Sequence, residues 1–363
     1  MIRLDRVSKA YPSGDGPAVT ELTLDIAEGE IAVLVGPSGC GKTTTLKMIN
    51  RLIEPTSGTI EVAGRSITSL SPSELRRSIG YVIQQIGLFP HRTIAENVAT
   101  VPKLLRWDQA RIDRRVEELL AIVDLDRSMS SRYPSELSGG QRQRVGVARA
   151  LAADPQVMLM DEPFGAVDPI ARGRLQDQFL DLQERLRKTI VLVTHDIDEA
   201  IKLGDRIAIL NNGGVLEQYD TPADILGRPA NEFVVDFLGS ERGLKRLKLL
   251  PISTIPLEPG PVLSETATVD EARRVMEEHG VDWIAVGGDG RLDGWVPAVE
   301  LDGRHDLTGL PLRRFQSWLT VDESLIDALD VVVSSRTNVA AVFDGERYIG
   351  MLTADAIGRA ILQ

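Results

Sequence analysis

The chain has 363 residues and a mass of 39.7 kDa, which suggests two or three domains. Its 43% hydrophobic and 26% charged residues are typical of a folded chain, and its single cysteine excludes a disulfide framework or a cysteine-ligated zinc site. The net charge of −12 counts against nucleic acid as the main partner, because phosphate contacts need a basic surface. We find no pattern typical of a signal peptide or a membrane span, so we expect a cytosolic protein whose membrane role would require a partner chain.

Short β-rich apolar runs recur in the first 240 residues and predict buried strands. These runs cover residues 31–35, 81–83, 157–160, 190–193 and 207–210. Helical patterns separate several of them, which predicts an α/β fold with a mostly parallel sheet. No such run occurs between residues 94 and 151, so this segment is expected to be a helical insertion between two strands.

A glycine-rich segment follows the first run and fits the phosphate-loop pattern G-x-x-x-x-G-K-[ST]. Its residues are Gly36, Pro37, Ser38, Gly39, Cys40, Gly41, Lys42, Thr43 and Thr44. The glycines let backbone N–H groups surround phosphate oxygens, and the start of the following helix adds positive potential. We expect Lys42 to reach the β- and γ-phosphates of ATP and the Thr43 hydroxyl to bind Mg²⁺. The thiol of Cys40 is expected to lie close to the same phosphate-binding amides.

Polar residues follow three of the other runs, at the end of a strand where ligands collect in sheets of this kind. Asp161 and Glu162 end the run 157–160: Asp161 can hold Mg²⁺, and Glu162 can orient and deprotonate the attacking water. His195 follows the run 190–193 and is well placed to hydrogen-bond a γ-phosphate. Gln84 follows the run 81–83 and can contact Mg²⁺ or the water.

A second pattern typical of a phosphate-facing helix start comprises Ser138, Gly139, Gly140 and Gln141. Since one phosphate loop is already present, this second site makes sense if two copies meet head-to-tail and each completes the ATP site of the other. Residues 137–145, with Asp161-Glu162-Pro163 after them, closely resemble the ATP-binding subunits of ABC transporters. The resemblance covers roughly residues 1–239.

This resemblance implies a role for individual residues. Tyr11 matches the aromatic residue that stacks on adenine, Gln84 matches the glutamine that senses the membrane subunit, and Asp168 matches a carboxylate of the dimer contact. The remaining matches are Gly36–Thr44 as phosphate loop, Leu137–Gln141 as the signature that caps the partner's ATP, Asp161 as metal ligand, Glu162 as catalytic base and His195 as switch histidine. Residues 1–240 are therefore expected to form a P-loop ABC-type nucleotide-binding domain, with an α-helical subdomain at about 90–152 that docks onto the membrane subunit.

The tail contains an internal repeat. Thr268-Val269-Asp270-Glu271 recurs at 320–323, and the apolar run 284–286 recurs at 340–342. The second copy has four more residues between these features, which predicts about one extra helical turn. This α+β pattern is similar to a tandem CBS pair, with copies at about 261–310 and 311–363. Residues 261–363 carry a net charge of −9, and the prolines before them predict an extended linker at 241–260.

The nucleotide motif usual in CBS domains is altered in both copies. The second copy has Thr353 but Ala356 in the acidic position, and the first has Pro297 in place of the threonine and Glu300 in the acidic position. An adenine nucleotide, a different ligand and ionic strength therefore remain open as the signal that the tail would sense.

A narrower resemblance indicates the cargo. Residues 84–91 and 161–169, taken with the tail, are similar to the quaternary-amine uptake branch, which imports glycine betaine, choline, carnitine or proline betaine. This implies transmembrane permease subunits, an external solute-binding protein, and a peripheral location at the cytoplasmic face of the inner membrane. An importer of a polar amino acid or another small solute is the alternative. A soluble ABC protein of translation or DNA repair is disfavoured because such proteins carry two cassettes or a long coiled coil. A pure sensor is disfavoured because Glu162 and His195 are both present.

Overall fold

The computed structural model describes residues 1–12, 16–83, 87–165, 167–315 and 318–362. It divides into two compact units, Met1–Gly239 and Ser240–Gln363. No helix among the described residues is both long enough and apolar enough to cross a lipid bilayer.

The described part of the first unit contains ten strands in two sheets. They are β1 (Ile2–Ala10), β2 (Pro17–Ile26), β3 (Ile31–Val35), β4 (Ser57–Val62), β5 (Arg65–Ser66), β6 (Ile79–Val82), β7 (Val157–Asp161), β8 (Thr189–Val193), β9 (Arg206–Asn211) and β10 (Val215–Asp220). Its helices are α1 (Lys42–Ile49), α2 (Pro72–Ser78), α3 (Ile94–Val98), α4 (Thr100–Leu104), α5 (Gln109–Ile122), α6 (Gly139–Leu151), α7 (Pro169–Leu186), α8 (Ile197–Leu203), α9 (Pro222–Gly227) and α10 (Glu232–Leu238).

The larger sheet has the strand order β10-β9-β3-β8-β7-β6, in which only the edge strand β10 is antiparallel to its neighbour. Every residue of β3, β7 and β8 is buried, as expected for parallel strands covered on both faces. The predicted α/β fold with a mostly parallel sheet is therefore confirmed. Helices α3 to α6 occupy the segment 94–151 between β6 and β7, as its lack of strand runs predicts.

A smaller antiparallel sheet, β2-β1-β4-β5, faces the larger one across a shared core. Leu46, Met48 and Ile49 of α1 are fully buried in this core, together with side chains from both sheets. The phosphate-loop segment directly before α1 is thus anchored at the centre of the unit, where a large apolar cluster fixes its position.

The described part of the second unit contains two three-stranded sheets. Its strands are β11 (Val262–Leu263), β12 (Trp283–Gly288), β13 (Arg291–Pro297), β14 (Trp318–Thr320), β15 (Val339–Asp344) and β16 (Arg347–Thr353), and its helices are α11 (Arg242–Leu247), α12 (Val269–His279), α13 (Leu325–Ser334) and α14 (Ala354–Leu362). In each sheet the first strand is parallel to the second, and the second is antiparallel to the third. The two copies inferred from the sequence repeat therefore share one strand arrangement.

The segment 241–260 is not the extended linker that its prolines predict. Residues 242–247 form α11, which packs against α13 and α14, and Leu247 and Ile252 are fully buried in the core of the second repeat. We call residues 247–258 the first arm. Its backbone pairs with the second repeat, since the Ile252 N–H donates to the Glu323 carbonyl (2.8 Å). The apolar side chains between the prolines explain the difference, because they are buried in the core of the second repeat. The sequence does not show that this core lies next to residues 241–260.

Residues 305–313, which connect the first repeat to the second and which we call the second arm, lie in the same way along the first repeat. The Val269 N–H donates to the His305 carbonyl (3.1 Å), and Trp295 and Arg313 exchange two backbone hydrogen bonds (2.8 and 2.9 Å). The segment leading into each repeat is therefore held by the other repeat. Burial of Trp283, Ala285, Trp295, Val339 and Met351 in one cluster adds a shared apolar contact between the two.

The four additional residues of the second repeat do not lengthen its helix. Helix α13 has 10 residues, against 11 in α12, so the expected extra turn is wrong. Thr268 caps α12 with a capping box, but the corresponding Thr320 and Glu323 form a turn, and α13 begins after Ser324, whose hydroxyl accepts from the Asp327 N–H. The additional residues instead provide the edge along which the first arm pairs.

Candidate nucleotide-binding site

Three adjacent strands of the larger sheet bring the predicted catalytic residues together. The order β3-β8-β7 places the phosphate loop after β3, His195 after β8, and Asp161 and Glu162 at the end of β7. Because these strands are parallel, their carboxyl ends lie along one edge, which is where ligands bind in open α/β sheets.

Two glycines of the phosphate loop lie where a side chain could not fit. A Cβ on Gly36 would lie 2.1 Å from the Leu210 carbonyl oxygen, and one on Gly41 would lie 2.3 Å from the Ala18 carbonyl oxygen. Gly41 also has a left-handed backbone (φ 96°) and occupies the N-cap position of α1. The loop thus turns tightly into α1, whose first N–H groups have no partner within the helix and can bind anionic oxygens.

Lys42 extends back over the loop. Its ammonium donates to the carbonyls of Gly36 (2.7 Å) and Pro37 (2.9 Å), and the residue is 7% exposed. Its positive charge is therefore held over the loop's own backbone, at the point where the loop would receive phosphate oxygens.

Thr43 and Asp161 form the oxygen pair expected of a Mg²⁺ site. The Thr43 hydroxyl donates to Asp161 Oδ1 at 2.9 Å. Burial raises the pKa of the Asp161 carboxyl above its ordinary value; the Thr43 hydrogen bond opposes this shift, and the charge of Glu162 adds to it. A hydroxyl and one carboxylate are the protein ligands that Mg²⁺ takes when substrate phosphates complete its shell, so these residues fit the ion.

Glu162 and His195 face each other. His195 Nδ1 lies 3.1 Å from Glu162 Oε1, and the Glu162 N–H donates to the Val193 carbonyl (2.9 Å). Glu162 has a left-handed backbone conformation (φ 45°), which is strained for a residue with a side chain and is typical of functional positions. Its carboxylate is therefore fixed at the strand edge by β8 and by a histidine that follows the same strand.

The Cys40 side chain lies on the inner side of the phosphate loop, where its Sγ accepts a hydrogen bond from the Lys42 ammonium (3.6 Å). It is fully buried and belongs to the core cluster between the two sheets. The loop needs its backbone N–H groups on the outer side, which turns the small apolar side chain inward.

Ser138 and Gln141 form the N-terminal cap of α6. The Ser138 hydroxyl accepts from the Gln141 N–H, and the Gln141 side chain accepts from the Ser138 N–H (2.9 Å). No hydrogen bond within the described residues joins residues 138–141 to residues 36–44. Gly139 has open space around its Cβ position, so the backbone at this helix start is accessible from outside.

The remaining predicted residues lie in three different settings. Tyr11 is 41% exposed, and the Lys9 ammonium lies 5.2 Å from the centre of its ring. Asp168 caps α7, accepting from the Ala171 N–H (3.0 Å). Gln84 lies outside the described residues.

The tail contains a separate cavity of about 260 Å³ that the sequence analysis missed. It is lined mainly by basic, hydroxyl and aromatic residues, namely Trp295, Arg313, Arg314, Phe315, Val331, Ser334, Ser335, Arg336, Thr337 and Val339. The sequence shows that arginines are outnumbered in the tail but not that three of them gather at one cavity. The two polar residues noted in the altered CBS motif are already engaged, since Thr353 accepts from the Ala356 N–H and Glu300 pairs with Arg313.

Comparison with known proteins agrees with both units. The family model described as ABC transporter matches residues 19–165, and the model described as CBS domain matches residues 252–301. The osmoprotectant import ATP-binding protein OsmV of Salmonella typhimurium is 46% identical, over 98% of this chain and 95% of that protein. The glycine betaine/carnitine/choline transport ATP-binding protein OpuCA of Bacillus subtilis is 52% identical, over 83% of this chain and 80% of its own length.

Solved structures give the same result for the first unit. The dimeric structure of MJ0796, a bacterial ABC transporter cassette, superimposes with a TM-score of 0.55 at 37% identity, over 61% of this chain and 99% of that chain. A second structure of that cassette, with similar agreement, is a post-hydrolysis state bound to ADP and Pi. The chain therefore belongs to the ATP-binding subunits of ABC transporters that carry a C-terminal CBS domain, and it is an ATP hydrolase.

Proposed function

We propose that this chain powers the import of a quaternary-amine osmoprotectant of the glycine betaine, choline, carnitine or proline betaine type. The observation that carries the ATPase part is the alignment of Thr43, Asp161, Glu162 and His195 along one sheet edge, with contacts of 2.9 Å and 3.1 Å. The cargo class rests on the names of relatives such as OsmV and OpuCA.

In this proposal each residue of the edge has one task. The phosphate loop and Lys42 bind the phosphates of ATP, and Thr43 and Asp161 hold Mg²⁺, which supplies charge neutralisation when bound. Glu162 takes a proton from the attacking water, and His195 positions its carboxylate. Tyr11, which directly follows β1 and is exposed, stacks on the adenine ring.

A second copy completes the site in a head-to-tail dimer. The start of α6 is open at Gly139 and makes no hydrogen bond to the phosphate loop of its own chain in the described residues. Ser138 to Gln141 would cap the ATP bound by the partner, and Asp168 would contribute to the same interface. The dimeric MJ0796 cassette supports this arrangement.

Transport requires further chains. Permease subunits would bind the helical part at about 90–152 and hold the ATPase at the cytoplasmic face of the membrane, and an external solute-binding protein would deliver cargo to the permease. An importer of a polar amino acid is the alternative cargo class. The CBS unit would regulate turnover, either through a ligand in the arginine-lined cavity or through ionic strength acting on a tail of net charge −9.

The ATPase assignment is tested with Glu162→Gln. The amide keeps the shape of the side chain but cannot accept a proton from water, so hydrolysis should fall by at least about a hundredfold while ATP still binds. Glu184→Gln, which changes an exposed glutamate of α7, is the matched control and should hydrolyse ATP normally. Hydrolysis by Glu162→Gln at the control rate would remove Glu162 as the base.

The cargo assignment is tested in vesicles that contain the chain with its permease and binding protein. ATP inside the vesicles should drive uptake of labelled glycine betaine but not of labelled glutamine; the reverse result would favour the amino-acid alternative. Repeating the assay at two internal salt concentrations, with and without residues 241–363, tests the regulatory role of the tail. Identical salt responses would exclude the ionic-strength mechanism and leave the cavity ligand.

A further inference from the structure

A buried carboxylate that the proposed reaction does not use lies beside the segment that carries His195. Glu199, in the first turn of α8, is 6% exposed. Its carboxylate accepts hydrogen bonds from the Gln176 amide of α7 (3.0 Å) and from the hydroxyl of Thr194, which directly follows β8. Burial raises the pKa of the Glu199 carboxyl, and these two hydrogen bonds oppose the shift. A buried carboxylate is unfavourable unless it is hydrogen-bonded, so the two contacts fix its position.

Glu199 holds the residues on both sides of His195. Its carboxylate binds Thr194, the residue before the histidine. Its backbone N–H donates to Oδ1 of Asp196, the residue after the histidine (3.3 Å). The Thr194 hydroxyl oxygen also accepts from the Asp196 N–H (3.1 Å), which closes the backbone around His195. These hydrogen bonds together constrain the short segment from which the imidazole projects.

Packing contributes little to the orientation of the His195 side chain. This side chain is 63% exposed, although its Nδ1 lies 3.1 Å from Glu162 Oε1. An exposed side chain can change rotamer at small cost, because solvent rather than close-packed neighbours surrounds it. The approach to Glu162 therefore depends on where residues 194–196 lie, and Glu199 is the buried group that holds them.

Helix α7 connects the same segment to its own start. Arg172 lies one turn before Gln176 on α7, so both side chains lie on one face of the helix. Arg172 donates through Nη2 to the Val167 carbonyl (3.1 Å), and its Nη1 lies 4.0 Å from Asp196 Oδ2. Asp168, next to Val167, is the N-cap of α7. One face of α7 thus joins the segment that carries the histidine to the loop that precedes the helix.

We propose that Glu199 is a positioning residue of ATP hydrolysis, which holds the backbone on both sides of His195 so that the imidazole meets the Glu162 carboxylate. This role rests on the function proposed above for His195 and acts only through it. Because the phosphate loop binds ATP, loss of the Glu199 contacts should slow hydrolysis without weakening nucleotide binding.

Steady-state hydrolysis by the full chain separates positioning from a general loss of stability. Glu199→Ala removes the acceptor of the Thr194 hydroxyl, so kcat should fall at least about tenfold while KM for ATP stays within about twofold of the parent value. Gln218→Leu is the matched control, because Gln218 is also buried and hydrogen-bonded, to Arg228 and Ala230, but lies on the edge strand β10. Both constants of this control should match those of the parent.

Two substitutions of Thr194 test the same contact with smaller changes. Thr194→Val removes the hydroxyl at nearly constant size and should lower kcat at least about fivefold. Thr194→Ser keeps the hydroxyl and should stay within about twofold of the parent. This pair decides the question if Glu199→Ala fails to fold.

Two further measurements show whether Glu199 acts through His195. In single-turnover assays, adding Glu199→Ala to His195→Ala should slow hydrolysis by less than about twofold more, because the side chain to be positioned is already absent. The imidazole resonance of His195, identified by its loss in His195→Ala, should shift in Glu199→Ala. The resonances of His91, His279 and His305 should stay fixed.

The results distinguish a failure of this proposal from a failure of the proposed function. Normal hydrolysis by His195→Ala would remove the role of that histidine, and the positioning role with it. If His195→Ala is slow, the positioning role alone is overturned by parent-like kcat in Glu199→Ala or Thr194→Val, or by an equal loss in Gln218→Leu or Thr194→Ser. Multiplicative losses in the double variant, or an unchanged His195 resonance, would overturn it as well.

Discussion

Cys40 shows how neighbouring residues of one loop can face different environments. It is fully buried in the core, whereas Ser38, two residues earlier, is exposed. The loop pattern fixes the backbone path through glycines at 36 and 41, but it does not predict which way the Cys40 side chain points. That direction depends on the core between the two sheets, which forms from segments far away in sequence.

Labelling with a thiol-specific disulfide reagent tests this burial. Cys40 should react only through local opening, at least about a hundredfold more slowly in buffer than in denaturant. As a control, Ser38→Cys in a Cys40→Ala background should react rapidly, and MgATP should slow it by covering the loop. Fast labelling of native Cys40 would show that the thiol faces the ligand side.

The catalytic carboxylates are predictable from sequence at the residue scale, but their pairing is not. Asp161 and Glu162 end an apolar run, which is a local pattern. The 3.1 Å approach of His195 to Glu162 arises because β8 lies beside β7, and strand order is not written in either segment. The left-handed backbone of Glu162 is likewise invisible until the strands are paired.

At the scale of elements, continuous apolar runs predict the parallel strands well, and strands buried on one face are harder to find. All five residues of β3 are buried, so its sequence is a solid apolar run. Strand β2 alternates between buried and exposed positions, with Thr20, Glu21 and Thr23 facing outward among apolar residues. The antiparallel sheet β2-β1-β4-β5 therefore gives no continuous signal, and the sequence analysis does not predict it.

The two caps of the tail repeats differ in a way that mutation can measure. Ser324 caps α13, whereas Thr320, which matches Thr268 in the repeat, caps only a turn. Ser324→Ala should lower the free energy of unfolding of the tail by about 1 kcal/mol, as Thr268→Ala should for α12, and Thr320→Ala should cost less. Denaturant unfolding of residues 240–363, followed by tryptophan fluorescence, reports on the tail through Trp283, Trp295 and Trp318 without the signal of Trp107 in the first unit. A larger loss of unfolding free energy for Thr320→Ala than for Ser324→Ala would contradict the assignment of Ser324 as the cap of α13.

At the scale of the whole molecule, the unit boundary at Gly239 and Ser240 defines which fragments can fold. Prolines and charge indicate a break between the units, but they do not reveal that residues 242–258 belong to the second one. Their apolar side chains are few and separated by prolines, so only the packed structure assigns them to the core of the second repeat.

Two fragments of the tail distinguish these boundaries. Residues 240–363 should unfold cooperatively on heating, whereas residues 261–363 should be much less stable because they lack Leu247 and Ile252. Each of these side chains is fully buried, and deleting one typically costs about 2–5 kcal/mol. Circular dichroism melting of both fragments makes the comparison. Equal melting temperatures would mean that the first arm is not part of the core.

Because of the first arm, the order in which the chain is anchored to the two repeats differs from the order of the repeats in the sequence. The chain leaves the first unit and enters the tail at residue 240, and the first repeat comes next in sequence. The arm, however, is anchored through Leu247, Ile252 and Glu258 to the second repeat before the chain reaches the first one. Any pull or twist at the connection is therefore transmitted to α13, α14 and β16 as well as along the chain to the first repeat. A force applied at residue 240 therefore acts on the second repeat through the first arm, although the first repeat comes earlier in the sequence.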